Sequence, residues 1–159
     1  MKRTPLRSKE VNKELTIYGI TLHKKDLIVL LEDDINNDPK KINQKIILVN
    51  NQPEFFYHEN KLIPTLKNLQ KNSHILKQIA VDMGAVKFMV KGADLMRPGI
   101  VEIEPEIKND DVIVIVDVNN RKPLAVGIAL LGSEEMQAQS SGRVVKNIHY
   151  LGDKIWRTG

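Results

Sequence analysis

A run of β-branched residues, Val112–Val118, constrains the fold of this chain more than any other segment. Nearly every position of the run is apolar, whereas a strand with one wet face alternates apolar and polar residues. The run therefore predicts a strand that is buried on both faces. A turn at Asn119–Lys122 leads into a second apolar run, Leu124–Leu131, and the two runs together predict one hairpin of a small barrel or sheet.

The sequence pattern changes near Ile75. From Ile79 onward, glycines separate short β-rich runs at regular intervals, a pattern that the first half of the chain does not show. A chain of 159 residues has room for two small domains. We therefore predict a domain over residues 1–77 and a second domain over residues 78–159.

The first domain is predicted to mix helix and strand. An amphipathic helix is expected from Thr4-Pro5 to Gly19, and the apolar segment Leu27–Leu31 fits a helix or a strand equally well. An acidic turn follows at Glu32-Asp33-Asp34. The remaining expected elements are a strand at Lys45–Val49, a turn at Asn50–Pro53, a hairpin of Phe55–Tyr57 with Leu62–Ile63 around Glu59-Asn60, and a weak helical or loop segment from Leu66 to Ile75.

The second domain is predicted to place short helices between its strands. Asp82 can cap a helix that runs to Lys91, and Gly92 can end this helix in a left-handed conformation. The other expected elements are a tight turn at Arg97–Gly99, a short helix capped by Ser133, and a last hairpin of Val144–Tyr150 with Lys154–Arg157 around Gly152-Asp153.

The composition excludes several classes of function. With no cysteine and four scattered histidines, the chain is expected to hold no disulfide, metal or other cofactor. No apolar run is long enough to cross a bilayer, so a cytoplasmic protein without membrane contact is expected. The candidate carboxylates Asp82, Asp94 and Asp153 stand at cap or turn positions, and no catalytic motif is present. We therefore predict that the chain is not an enzyme.

Two segments are candidates for binding a polyanion. Lys87 and Lys91 stand four residues apart on the predicted helix, beside glycines that would let backbone N–H groups approach a phosphate. In the second segment, basic residues accompany Asn147, His149 and Tyr150, which could contact unpaired bases. The alternatives are a solvated lysine face for the first segment and a structural His149 for the second. Trp156 is expected in the core.

These two segments resemble a known domain. The stretches VDMGAVKFMVKGADLMRPGI and VVKNIHYLGDKIW are similar to the PUA domain of the archaeal and eukaryotic translation-factor family that includes ligatin and the multiple-copies-in-T-cell-malignancy protein. The resemblance implies an α+β chain, with a small N-terminal pre-PUA domain before a mixed β pseudo-barrel. It also implies an RNA groove between the first helix of the barrel and its last strands. The residues nominated for this groove are Lys87, Lys91, Gly92, Ala93, Arg97, Arg143, Lys146 and His149.

The resemblance implies an RNA-binding protein of the translation apparatus that contacts structured RNA. The expected ligands are ribosomal RNA of the small ribosomal subunit, transfer RNA, or both. Two alternatives remain at this point, namely a non-catalytic module that presents substrates for RNA modification and an adaptor that binds a translation-factor protein. The acidic segment 102–111 is expected to lie away from bound phosphates.

Overall fold

The computed structural model describes residues 2–33 and 44–158. Within these residues the strands form two sheets, one of five strands and one of six. The five-stranded sheet is antiparallel throughout, and its strands follow one another in chain order. Its strands are β1 (Lys2–Leu6), β2 (Ile28–Glu32), β3 (Lys45–Val49), β4 (Gln52–His58) and β5 (Lys61–Pro64).

Helix α1 (Ser8–Leu15) covers one face of the first sheet. Its buried residues Val11 and Leu15 belong to an apolar cluster with residues of β2, β3, β4 and β5. Gly19 ends the segment with a φ of 68°, as predicted. The predicted start at Thr4-Pro5 is wrong, because both residues lie in β1 and pair with β2. A proline is tolerated there because β1 is an edge strand.

The remaining predictions for the first sheet are largely confirmed. The ambiguous segment Leu27–Leu31 is strand β2, and the predicted strand Lys45–Val49 is β3. Two-residue turns with positive φ at both positions join the hairpins at Asn50-Asn51 and at Glu59-Asn60, as the twist of paired strands requires. The predicted turn at Asn50–Pro53 is therefore too long. The acidic turn at residues 32–34 extends outside the described residues.

The second sheet has the order β7-β11-β10-β9-β6-β8 and is antiparallel except for the β6–β9 pair. Its strands are β6 (Lys77–Val81), β7 (Leu95–Met96), β8 (Ile100–Ile103), β9 (Val112–Asp117), β10 (Pro123–Ala129) and β11 (Arg143–Tyr150). Its two edge strands, β7 and β8, are joined by a single 3₁₀ turn at Arg97–Gly99, so the sheet curls into a half-barrel. Every residue of β9 is buried, which confirms the prediction from the β-branched run.

Three short helices complete the fold: α2 (Leu66–Lys71), α3 (Met83–Met89) and α4 (Ser133–Ala138). Gly132, not Ser133, is the N-cap of α4. The Ser133 hydroxyl is engaged elsewhere, because it accepts the Ile107 N–H and donates to the Glu104 carbonyl oxygen. The predicted strand at Lys154–Arg157 is also wrong. The segment forms a helical turn, in which the Arg157 N–H donates to the Asp153 carbonyl oxygen and the Asp153 carboxylate accepts the Trp156 N–H.

The two sheets share part of their apolar core. Leu66 and Leu69 of α2 are fully buried in a cluster that also contains β9 and β10 residues such as Val114 and Val126. Trp156 is half-buried and packs against the same cluster. The predicted division at residue 77 falls at the first residue of β6, and the independence of the two parts stays a prediction. Among the described residues, no helix is long and apolar enough to cross a membrane.

Candidate nucleic-acid interface

Helix α3 presents the first candidate residues. Asp82 is its N-cap, and the carboxylate accepts the Ala85 N–H at 2.9 Å, as the sequence predicts. The helix ends at Met89, two residues before Lys91. Lys87 and Lys91 are both exposed, and no acidic side chain of residues 2–33 and 44–158 forms an ion pair with either. Their ammonium groups are therefore available to an anionic ligand.

The loop after α3 does not offer its backbone N–H groups to a ligand. The N–H groups of Lys91 and Ala93 both donate to the Phe88 carbonyl oxygen, and that of Gly92 donates to Met89. Gly92 has a φ of 87°, as predicted, but the expectation that its amide faces a phosphate is wrong. These bonds satisfy the last carbonyl groups of the helix, which is the usual role of a left-handed glycine.

Gly92 is also needed for close packing. A Cβ atom at this position would lie 2.7 Å from Cε1 of Tyr150, well inside the usual contact distance of about 3.5–4.0 Å between carbon atoms. The ring of Tyr150, which is half-buried, therefore lies directly against the loop. It holds the loop on β11.

Two polar side chains fix the same loop on β11. The Asp94 carboxylate accepts the Asn147 N–H at 2.9 Å and pairs with the Arg143 guanidinium at 3.1 Å. The Asn147 amide donates to the carbonyl oxygens of Met89 and Ala93, at 3.1 and 3.0 Å. These hydrogen bonds hold the loop on β11 at Met89, where the loop begins, and at Ala93 and Asp94, where it ends. The backbone N–H and the side-chain NH₂ group of Asn147 are engaged in these bonds, whereas its Oδ1 atom is buried and has no hydrogen-bond partner among the described residues, so Asn147 acts as a positioning residue for the loop.

Together, these contacts create one exposed surface, which we name the α3 surface. It consists of exposed side chains at the C-terminal end of α3, on the loop that follows and at the start of β11, namely Lys87, Phe88, Lys91, Ala93 and Arg143. Three of these residues are basic. Only Arg143 has an acidic partner among the described residues, and a guanidinium with five N–H groups can bind Asp94 and still reach a phosphate.

Arg97 lies outside this surface. Its guanidinium Nε–H donates to the Met136 carbonyl oxygen of α4 at 2.7 Å. The side chain is half-buried, and the bond satisfies a carbonyl group in the last turn of α4. Arg97 therefore connects the turn at residues 97–99 to α4.

Lys146 faces a different region. It lines a cleft of about 890 Å³ between β11 and the first sheet. The residues that line this cleft are Glu14, Leu30, Gln44, Lys45, Phe56, Tyr57, His58, Glu59, Asn60, Lys146, Asn147 and Ile148. Two lysines in the cleft are balanced by two glutamates, so it lacks the basic excess of the α3 surface.

Titratable groups in the cleft interact with each other. Burial raises the pKa of Tyr57, and the hydrogen bond from its hydroxyl to the Glu14 carboxylate, at 2.5 Å, raises it further. Burial lowers the pKa of His58, the Glu59 carboxylate opposes this effect, and the Lys146 ammonium adds to it. A lowered pKa keeps His58 neutral at physiological pH. The imidazole therefore adds no positive charge to the cleft.

His149 does not belong to any exposed surface. It is 0% exposed, and its ring packs edge-on against Phe56 with centroids 5.2 Å apart. Nε2 accepts the Leu66 N–H at 3.0 Å, while Nδ1 lies 2.8 Å from the Asp153 carboxylate. The nomination of His149 for RNA contact is wrong, because its ring is buried and both of its nitrogens are engaged. The alternative of a structural histidine is confirmed.

The acidic side chains have structural partners as well. Glu102 on β8 pairs with Arg121 at 2.5 Å, and Asp111 accepts the Lys108 N–H at 2.8 Å. That the segment 102–111 lies away from bound phosphates stays a prediction. Among the described residues, no group of three or more His, Cys, Asp or Glu side chains could hold a metal ion.

Sequence reasoning missed Phe88 on the α3 surface and the role of Asp94 as a clamp. The exposure of Phe88 could have been predicted from the sequence. Met89 lies on the buried face of α3, and the neighbouring residue on a helix points in a different direction. The bonds of Asp94 carried no sequence signal, because its partner Asn147 lies 53 residues further along the chain.

Two family models match this chain. That of the PUA domain matches residues 77–151, and that of a domain of unknown function (DUF1947) matches residues 8–72. A solved structure, that of a hypothetical protein from the hyperthermophilic archaeon Pyrococcus horikoshii, superposes with a TM-score of 0.80. It is 31% identical to this chain, and the match covers 98% of each chain.

Relatives extend this result. An uncharacterized protein of Methanocaldococcus jannaschii is 45% identical over 84% of this chain and 87% of its own length. Translation machinery-associated protein 20 of Eremothecium gossypii is 33% identical over 73% of this chain and 68% of its own length. Malignant T-cell-amplified sequence 1 of Danio rerio is 30% identical over 91% of this chain and 87% of its own length.

The half-barrel and the matching family models place this chain in the PUA class of RNA-binding proteins, with a pre-PUA region in front. The chain belongs to the family of PUA proteins that includes translation machinery-associated protein 20 and malignant T-cell-amplified sequence 1. This confirms the family resemblance and the α+β fold predicted from the sequence.

Proposed function

We propose that this chain binds RNA of the translation apparatus through the α3 surface. The ligand is small-subunit ribosomal RNA, transfer RNA, or both. The observation that carries the proposal is the pair Lys87 and Lys91, exposed and without acidic partners in the described part of the chain. Phosphates supply most of the affinity in such complexes, and unpaired ammonium groups bind them without first breaking an ion pair.

The rigidity of the surface supports the same function. Asp94, Asn147 and Tyr150 hold the loop after α3 on β11, so the backbone at Lys91 is held close to that at Arg143. A preformed surface loses little conformational entropy when it binds its ligand. This arrangement suits recognition of a folded RNA backbone.

The carboxylates support a binding role without catalysis. Asp82 caps α3, Asp94 clamps the loop, and Asp153 accepts hydrogen bonds from Tyr150, Trp156 and His149. Each of these carboxylates stabilises the local fold. These structural roles account for all three carboxylates without an acid–base mechanism.

Crosslinking in cells, followed by sequencing of the attached RNA, tests the proposal. Ribosomal or transfer RNA should be enriched with the wild-type chain and lost with Lys87→Glu/Lys91→Glu. The matched control is Lys9→Glu/Lys13→Glu, which makes the same charge change on two exposed lysines of α1 with the same spacing. Enrichment of RNA-modification sites would favour a substrate-presenting module instead. With no RNA enriched, the proposal fails, and an adaptor for a translation-factor protein becomes the better account.

A further inference from the structure

Phe88 on α3 has an exposed aromatic ring, and no packing role of this ring in the described part of the fold explains why the residue is a phenylalanine. The chain has three phenylalanines, of which Phe55 and Phe56 are 1% exposed and Phe88 is 52% exposed. Burying such a ring stabilises a fold by about 1.5–3 kcal/mol, and this gain is largely absent at Phe88. A single exposed apolar residue is common on protein surfaces, so its surroundings decide whether it has a role.

The surroundings of Phe88 leave its ring open. A helical side chain leans toward the preceding turn, and the residues four and three positions before Phe88 are Gly84 and Ala85. Neither residue has a side chain large enough to cover an aromatic face. The ammonium nitrogen of Lys87 lies 5.2 Å from the ring centroid, which is within range of a cation–π interaction. The ring is half exposed and lies beside an ammonium group that has no acidic partner among the described residues.

We propose that Phe88 is a stacking platform for an unpaired base of the bound RNA. The phosphates flanking that base bind Lys87 and Lys91. This inference rests on the proposed RNA-binding function and deepens it, because it requires a single-stranded region in the ligand. Aromatic side chains next to cations are the usual means by which proteins bind single-stranded nucleic acid.

The charge of the surface favours RNA over a protein partner. The cores of protein–protein interfaces are depleted in lysine, because burying an unpaired ammonium group is costly. Two lysines without acidic partners in the described chain accompany Phe88, and a polyanion neutralises both of them. The same two lysines would oppose docking of an apolar protein surface on this ring.

The test compares two RNA probes and two Phe88 variants in the full chain. The probes are an unstructured RNA of about 12 nucleotides, within the range of single-strand site sizes, and the same sugar–phosphate chain without bases. Phe88→Leu removes the ring but stays apolar, while Phe88→Trp keeps a stacking face. Ile17→Ala is the surface control, since Ile17 is 74% exposed and lies in a 3₁₀ turn outside the α3 surface.

Stacking on one aromatic side chain changes affinity by about 5- to 150-fold per base. Phe88→Leu should weaken binding of the base-containing RNA by a factor in this range and leave binding of the probe without bases unchanged. Phe88→Trp and Ile17→Ala should bind both probes like the wild type. Since Phe88 is exposed, Phe88→Leu should unfold at the wild-type denaturant concentration, which shows that the loss is not one of folding.

The outcomes separate the two proposals. If the wild-type chain binds the base-containing RNA and Phe88→Leu binds it equally well, the stacking platform is refuted and RNA binding stands. An equal loss for both probes also refutes stacking, because bases would not be involved. If the wild-type chain binds neither probe nor any folded ribosomal or transfer RNA, the proposed function itself is refuted.

Discussion

Replacing Gly92 with alanine should destabilise the fold by about 2–5 kcal/mol. The first contribution is the backbone, because a φ of 87° costs an L-residue about 1–2 kcal/mol. The second is the overlap with Tyr150, whose Cε1, Cζ and Cδ1 atoms would lie 2.7, 3.1 and 3.2 Å from the new Cβ. Relieving this overlap requires a shift of nearly 1 Å in a packed ring, and overpacking of this kind costs about 1–3 kcal/mol.

A double-mutant cycle separates these two contributions. In a Tyr150→Ala background the overlap disappears, so Gly92→Ala should cost only the backbone contribution of about 1–2 kcal/mol. The coupling free energy between the two positions should then be about 1–3 kcal/mol. Gly92→Asn should recover part of the backbone contribution, since asparagine tolerates positive φ, but its Cβ would meet the same ring.

Urea denaturation measures all four members of the cycle, with the slope m checked for constancy. A coupling free energy near zero would show that the ring of Tyr150 does not require glycine at position 92 in order to pack against the loop. A cost below about 1 kcal/mol for Gly92→Ala alone would also refute the proposed left-handed conformation.

Three further predictions concern the shared core. His149→Phe should cost about 2–4 kcal/mol in urea denaturation, because the Leu66 N–H and the Asp153 carboxylate lose a buried partner. Burial alone would raise the pKa of Asp153, but hydrogen bonds from His149 and from the Trp156 and Tyr150 N–H groups lower it by more, so it lies below its ordinary value of 3.8. The stability that Asp153 contributes should therefore be complete above about pH 5 and lost on further acidification. Asp153→Asn should be less stable than the wild type at neutral pH, and its stability should depend less on pH in acid. A plot of stability against pH that runs parallel to that of the wild type would contradict this. A fragment of residues 78–159 should unfold at lower urea concentration than the whole chain, because Val114 and Val126 no longer pack against α2. Equal midpoint urea concentrations for the fragment and the whole chain would contradict a shared core.

Local signals in the sequence were enough to predict much of this fold. The β-branched run gave the buried strand β9, and Asn50-Asn51 and Glu59-Asn60 marked two hairpin turns. Asp82 and Gly92 marked the two ends of the α3 region. Each of these features depends on residues that are neighbours in the chain, so composition and spacing reveal it.

The errors arose where distant contacts override local preference. Thr4-Pro5 looks like a helix start, but pairing with β2 makes it an edge strand. His149 looked available to a ligand because its partners, the Leu66 N–H and Phe56, lie in the first half of the chain. The site residues that were predicted correctly as exposed, Lys87 and Lys91, stand on α3 and in the loop that follows it, where the local signals are clear.

The salt dependence of RNA affinity is the most direct test of the central claim that the α3 surface binds RNA through its lysines. Each phosphate contact to single-stranded RNA adds about 0.7 to the slope of log affinity against log salt concentration. Lys87→Gln/Lys91→Gln should therefore lower the magnitude of the slope by about 1.4, while Lys9→Gln/Lys13→Gln on α1 leaves it unchanged. An equal fall in slope for both variants would show that only net charge matters, and an unchanged slope for Lys87→Gln/Lys91→Gln would place the RNA on another surface.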